Sequence, residues 1–130
     1  MRVIPARNDR SKPYGEAVGT NYRNVKGWTQ SKDSDHDYGV IILPTALGNT
    51  VGWMGLADLA FASLMGLNVN NSSGCPGDKP SGTQWWNSNN ILAVTGRRLY
   101  DRIDAMGSQS GSPIWRFKHG NRHIVGIHTT

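Results

Sequence analysis

Short apolar stretches separated by turns rich in Gly, Asn and Ser extend over most of the chain. Residues 39–43 form a continuous apolar run that ends at a proline, which is typical of a strand buried on both faces. Residues 113–117 and 123–128 alternate apolar and polar positions on either side of a Gly-Asn turn, which predicts a β-hairpin. The pattern as a whole predicts an all-β fold.

Further strands are predicted at residues 2–5, at one or two places within residues 18–28, and at residues 91–95 and 98–103. The polar residues 30–35 are predicted to form a charged turn. Residues 56–67 are rich in Ala, Leu and Met, so helix propensity alone would favour a helix there.

Composition narrows the classes of function. The chain has 130 residues, 16 of them Gly, which is enough for one modest domain or part of a larger one. Its net charge is +5, but the basic residues are scattered and form no motif that reads DNA or RNA. No apolar run approaches the ~20 residues that cross a bilayer. These features predict neither a nucleic-acid nor a membrane partner. We also expect a monomer.

Two polar segments carry candidate chemistry. Ser110 lies among small residues in the segment 107–113, and small neighbours suit a nucleophilic hydroxyl that must approach a substrate backbone closely. Most Ser-Gly-Ser-Pro runs are ordinary loops, so this segment alone is weak support. Asp37 is a carboxylate at the start of the apolar run 39–43, with Asp35 as the competing candidate.

Together these segments resemble the trypsin-like serine proteases, and most closely the bacterial glutamyl endopeptidase branch. Further segments carry the likeness, in the order that the family has: Val3-Ile4-Pro5, Val25-Lys26-Gly27-Trp28, Leu47-Gly48-Asn49-Thr50-Val51-Gly52-Trp53, Gly74-Cys75-Pro76-Gly77-Asp78-Lys79-Pro80-Ser81-Gly82-Thr83, Leu99-Tyr100-Asp101-Arg102-Ile103-Asp104 and Val125-Gly126-Ile127-His128. They extend over nearly the whole chain.

The resemblance implies two antiparallel β-barrels with the catalytic groups in the cleft between them. On this basis residues 1–45 are the remainder of the N-terminal barrel, residues 46–58 the connector and residues 59–130 a truncated C-terminal barrel. It also favours a strand over a helix within residues 56–67. We expect a fragment, because the family has its catalytic histidine upstream of the aspartate and further strands after the last segment.

The resemblance also implies roles for individual residues. Ser110 matches the nucleophile and Asp37 the carboxylate that orients the catalytic histidine. The backbone amides of Ser108 and Ser110 match the oxyanion hole, although the family has Gly at the position of Ser108, where a serine would strain or flip the peptide. His36 is an unlikely base, since neighbours on a strand point to opposite faces.

Substrate preference rests on two further positions. His128 matches the histidine that, in glutamyl endopeptidases, lines the primary specificity pocket and pairs with a substrate carboxylate. The family usually has Thr at the position of Ala105, where it helps to bind that carboxylate. The resemblance therefore implies cleavage after Glu, and Ala105 departs from the family pattern for it.

Other chemistry is not expected. The lone Cys75 cannot form an internal disulfide. The His-x3-His spacing of His119 and His123 occurs in zinc sites, but His123 and His128 fall on opposite faces of a strand. No carboxylate or cysteine nearby completes a ligand set, so neither a metal nor a cofactor is expected. The pair Trp85 and Trp86 could stack on sugars or bases, but one core and one surface residue is the more ordinary expectation.

The sequence thus predicts part of a secreted, extracellular serine endopeptidase that acts on polypeptides through an acyl-enzyme. The chain alone is expected to be inactive for want of the histidine. Two alternatives stay open: a trypsin-like scaffold that binds peptides without catalysis, and a basic nucleic-acid binder.

Overall fold

The computed structural model describes the backbone of residues 1–129 and the side chains of residues 1–70 and 75–129. The chain divides into two compact units, which we call unit 1 (Met1–Trp53) and unit 2 (Met54–Thr130). Each unit is described by itself.

Unit 1 contains two separate two-stranded antiparallel sheets, β1–β2 and β3–β4. Two short α-helices and a turn of 3₁₀ helix connect or follow the strands. The elements are β1 (Arg2–Val3), β2 (Ala17–Val18), β3 (Asn21–Asn24), α1 (Lys26–Ser31), the 3₁₀ helix (Ser34–His36), β4 (Gly39–Ile42) and α2 (Gly48–Val51).

Helix α1 corrects part of the sequence-based prediction. The strand predicted within residues 18–28 is present as β2 and β3, but Trp28 lies in α1, and the predicted turn 30–35 contains the end of this helix. Lys32 ends it with a φ of 52°; its backbone N–H donates to the Trp28 carbonyl, and the Asp33 N–H donates to the Gly27 carbonyl. A Cβ on Gly27 would lie 2.5 Å from the His36 ring, so this glycine allows the 3₁₀ helix to approach α1.

The apolar run at residues 39–43 forms a strand as predicted, but its predicted burial on both faces is wrong. Strand β4 pairs with β3 alone, and Val40 and Ile42 are 59% and 42% exposed. A continuous apolar run is therefore compatible with an edge position in a small sheet.

Unit 2 contains a six-stranded sheet with the strand order β5-β10-β9-β6-β7-β8. The β5–β10 pair is parallel and the other neighbours are antiparallel. The elements are β5 (Gly55–Leu56), α3 (Phe61–Leu64), β6 (Asn68–Gly74), β7 (Trp85–Thr95), β8 (Arg98–Asp101), β9 (Pro113–Lys118) and β10 (Asn121–Ile127).

The core of unit 2 forms where β6, β7 and β9 lie side by side. Val69, Ile91 and Ile114 are buried from these three strands and contact one another. Partly buried apolar side chains pack around them: Leu64, Leu67, Val94, Leu99, Ile103 and Val125. Complete burial of a Val or Ile side chain, as in the three central residues, stabilises the fold by roughly 1.5–3 kcal/mol before entropy is counted. The sheet is thereby fixed around its central strands.

Most strand predictions for unit 2 are confirmed. The hairpin predicted around the Gly-Asn turn is β9–β10, in which Arg122 pairs with Phe117. Residues 91–95 and most of residues 98–103 also lie in strands. The strand predicted within residues 56–67 is wrong for most of its length, because β5 ends at Leu56 and the segment Phe61–Leu64 is helical, as its Ala and Leu content favours.

No helix among residues 1–129 has the length and apolar content required to span a membrane.

Candidate functional site

The serine loop, defined as residues 107–113, connects the end of the β8 region to β9 through consecutive turns. The Gln109 N–H donates to the Met106 carbonyl at 3.3 Å, and the Ser112 N–H donates to the Gln109 carbonyl at 3.0 Å. Gln109 and Ser112 are buried, whereas Ser110 between them is exposed. Ser110 is therefore exposed in a hydrogen-bonded turn whose residues on either side, Gln109 and Ser112, are buried.

Ser108 adopts a backbone conformation that favours glycine. Its φ is +80°, in the left-handed region that non-glycine residues enter at a cost of roughly 1–2 kcal/mol. Gly111, one residue after Ser110, has a φ of +90° and bears no such cost. The sequence-based expectation that a serine at position 108 strains this peptide therefore agrees with the backbone.

Two backbone hydrogen bonds join the serine loop to the residue that follows β10. The Gly111 N–H donates to the His128 carbonyl, and the His128 N–H donates to the Ser112 carbonyl, both at 2.8 Å. This reciprocal pair fixes residue 128 against Gly111 and Ser112 of the loop. Ser110 and His128 are thus held within one hydrogen-bonded arrangement of unit 2.

The imidazole of His128 is half-buried, and its Nε2 atom has no hydrogen-bond partner among the described residues. A buried polar atom without a partner costs about 1–3 kcal/mol. Such a nitrogen can donate to a carboxylate when it carries a proton. Ala105 is half-buried and offers no polar group beyond its backbone.

In unit 1, Asp37 caps the C-terminal end of the 3₁₀ helix and is half-buried. Its neighbour His36 places Nδ1 at 2.8 Å from the Asp33 carboxylate. Asp35, the competing candidate, is also half-buried, and its N–H donates to Asp33 at 3.0 Å. Asp33 therefore holds this turn together through two hydrogen-bonded contacts. The sequence analysis missed this role, although Asp is a preferred residue at the N-terminal cap of a helix.

The described residues contain no group of three or more His, Cys, Asp or Glu side chains arranged to hold a metal ion. Cys75 is exposed and unbridged.

A cavity of about 230 Å³ in unit 2 lies beside the serine loop. Gln109 and Asp104 line it, whereas Ser110 and Ala105 do not. Trp85 and Trp86 also line it and are 48% and 69% exposed, so the expectation of one core and one surface tryptophan is wrong. The cavity was missed in the sequence because its lining comes from three separate segments.

Comparisons with known proteins agree with this architecture. An extracellular metalloprotease of Bacillus subtilis is 41% identical over 130 residues, and a glutamyl endopeptidase of Bacillus licheniformis is 42% identical over 124 residues. These matches cover 99% and 95% of the chain but only 41% and 38% of the relatives. The chain thus spans about two fifths of their length. No family model matches it.

A solved structure of a Glu endopeptidase in complex with MPD superposes with a TM-score of 0.83 at 29% identity, over 98% of this chain and 58% of that one. The fold is therefore that of the trypsin-like serine proteases, with open sheets in place of complete barrels. Within that class, the sequence and the structure are close to those of the glutamyl endopeptidases.

Proposed function

We propose that this chain carries the nucleophile and the orienting carboxylate of a secreted serine endopeptidase that cleaves after Glu. Ser110 attacks the peptide carbonyl, and the backbone amides of Ser108 and Ser110 stabilise the oxyanion. Asp37 orients the catalytic histidine, whose expected place is upstream of residue 1. Water then hydrolyses the acyl-enzyme.

The constrained turn around Ser110 is the observation that carries this proposal. Ser110 is an exposed residue between the buried residues Gln109 and Ser112, so the turn constrains its backbone, and a nucleophile needs such positioning. Glutamyl endopeptidases among the relatives support the same chemistry. The name of the Bacillus subtilis relative supports an extracellular location.

The preference for Glu rests on His128. Its Nε2 atom lacks a partner, and backbone hydrogen bonds fix its position relative to the serine loop. A substrate carboxylate would provide the missing acceptor. Because Ala105 supplies no hydroxyl to that carboxylate, His128 would bear most of the selectivity.

A peptide-binding module without catalysis is the second candidate, and Ser108 is the observation that favours it. A serine at a φ of +80° in the proposed oxyanion hole costs conformational energy that glycine would not. Such a position is tolerated more easily in a protein that has lost turnover. Both candidates share the fold and differ in whether a bound peptide is cut.

The test begins with the coding sequence upstream of residue 1 and continues with the complete gene product. That product is incubated with four peptides that differ only in having Glu, Asp, Lys or Phe before the cleavage point. We expect preferential cleavage after Glu and labelling of Ser110 by a fluorophosphonate. Ser110→Ala should abolish both, while Ser81→Ala, which replaces another exposed serine, should preserve them.

Cleavage that survives Ser110→Ala would refute the assignment of the nucleophile. Saturable peptide binding without cleavage or labelling would support the module instead. Equal cleavage of all four peptides, or an unchanged Glu preference in His128→Ala, would remove the specificity role of His128 and leave the protease assignment intact. The 130-residue chain alone is expected to be inactive.

A further inference from the structure

The cavity beside the serine loop, which we call the tryptophan cavity, combines aromatic surface with a mixed set of polar groups. Trp85 and Trp86 provide the aromatic surface. The carboxylates of Asp78 and Asp104 accept hydrogen bonds, and the Lys79 ammonium donates them. A purely apolar ligand would leave the polar groups without hydrogen-bond partners, and a purely ionic one would not use the aromatic surface.

Trp85 is held by contacts within the protein, whereas the Trp86 side chain is largely exposed to solvent. The Trp85 indole N–H donates to Thr83 Oγ1 at 3.0 Å, and the Thr83 hydroxyl donates to the Pro80 carbonyl at 2.7 Å. Lys79 Nζ lies 4.9 Å from the centre of the Trp85 ring. Trp86 is 69% exposed, so its ring can receive a ligand without displacing protein atoms.

A buried amide adds a directed donor. Gln109 is only 6% exposed and lines the cavity. Its Oε1 accepts a hydrogen bond from the Met106 N–H, which fixes the amide group. This fixed amide can therefore donate to a ligand oxygen at the wall of the cavity.

The charges argue against two ligand classes. Two carboxylates against one ammonium would repel the phosphates of a nucleic acid. A cationic side chain would have to compete with Lys79, which already lies over Trp85 and 3.5 Å from the Asp78 carboxylate. A neutral ligand with both donors and acceptors avoids both costs.

We infer that the tryptophan cavity binds a neutral pyranose sugar through stacking on Trp86 and hydrogen bonds to Asp104 and Gln109. The C–H face of a pyranose packs on an aromatic ring, and its hydroxyls both donate and accept. A volume of about 230 Å³ lies below the ~300–1,000 Å³ of pockets for drug-sized ligands, which suits one sugar ring. The inference is independent of proteolysis.

The test is a titration of the full chain followed by the indole N–H signals of its tryptophans in NMR spectra. The probes are glucose and N-acetylglucosamine. We expect saturable shifts of the Trp85 and Trp86 signals, with a dissociation constant on the order of 1–10 mM, because so small a contact area gives weak binding. The other indole signals should not shift.

Three variants separate the site from general effects. Trp86→Ala removes the stacking surface and should weaken binding about tenfold or more. Asp104→Asn removes a charged acceptor while preserving shape and should also weaken it. Trp53→Phe, which replaces an 81% exposed tryptophan outside the cavity, is the matched control and should bind like the parent. Amide spectra confirm that each variant is folded.

Absence of shifts at about 100 mM sugar, or equal binding by Trp86→Ala and the parent, would overturn the inference. Tighter binding of argininamide than of either sugar at the same signals would replace it with a cation site. Tighter binding of a short oligothymidylate would replace it with a nucleic-acid site. None of these results depends on whether Ser110 is a nucleophile.

Discussion

Unit 2 buries the side chains of its central strands, whereas unit 1 leaves its apolar strand residues largely in solvent. Val69, Ile91 and Ile114 of unit 2 are 0%, 1% and 4% exposed. In unit 1, Ala17 is the one hydrophobic residue that is buried among those whose side chains the structure describes. Val40 of β4 is 59% exposed. Apolar strand segments of similar sequence are therefore buried in unit 2 and exposed in unit 1.

The difference lies in the number of strands rather than in their composition. A two-stranded sheet has little area on which to bury side chains and is marginally stable by itself. Six strands, helix α3 and the segment that contains Ile103 supply several neighbours for the buried residues. We therefore expect unit 2 to contribute most of the free energy of unfolding.

The largest expected effect comes from truncating one apolar strand residue in each unit, buried in unit 2 and exposed in unit 1. Ile91→Ala should lower the free energy of unfolding by about 2–5 kcal/mol, because it leaves a cavity among buried side chains. Val40→Ala should lower it by about 1 kcal/mol or less, since an exposed strand residue loses little burial. Urea denaturation monitored by fluorescence measures both, and equal losses would contradict the comparison.

A smaller effect is expected from relieving backbone strain at two residues that have a positive φ. Ser108 in unit 2 and Lys32 in unit 1 have φ values of +80° and +52°. Glycine at either position should raise the free energy of unfolding by about 1 kcal/mol. Only Ser108→Gly should also raise turnover, measured in a protein with the complete triad.

Ser108→Ala is the control, because it preserves the Cβ and with it the strain. Unchanged turnover in Ser108→Gly would show that the serine does not weaken the oxyanion hole. Raised turnover in Lys32→Gly as well would indicate a general effect of stability rather than of the loop.

The smallest expected effect concerns an exposed ion pair in unit 1. The Lys12 ammonium donates a hydrogen bond of 2.7 Å to Glu16 and, with its charge, lowers the pKa of that carboxyl below 4.5; Arg2 adds a weaker attraction. A folded pKa below the unfolded one stabilises the fold above the unfolded value, and this contribution disappears as pH falls through the folded pKa.

Lys12→Met should therefore raise the pKa of Glu16 toward 4.5, as followed by NMR of the carboxyl signal. Its cost in stability should be seen at neutral pH and vanish in acid. Lys26→Met removes an exposed ammonium of the same unit and should leave that pKa where it is. If Glu16 has the same pKa in the parent and in Lys12→Met, the Lys12–Glu16 ion pair does not lower it.

The sequence predicted local elements well and their surroundings poorly. The β9–β10 hairpin was evident because alternation and a Gly-Asn turn are both local signals. The burial of β4 was mispredicted because it depends on which layers cover the strand, and that is set by residues far away in the chain. Helix α3 was mispredicted because the family resemblance was given more weight than local propensity.

The candidate site shows the same division. The strain at Ser108 was foreseen, since one residue in a known loop determines it. Asp33 and the tryptophan cavity were missed, because the partners of Asp33 and the lining of the cavity are apparent only once the turns are folded. The roles of Asp37, Ser110 and His128 stay predictions.

The reciprocal hydrogen bonds between the serine loop and residue 128 use main-chain atoms alone. Any amino acid except proline can form both of them, so an exchange of the imidazole for another group leaves the tether of the loop in place. The side chain at position 128 is therefore free to vary, in nature or by design, without releasing the backbone of the serine loop from its partner.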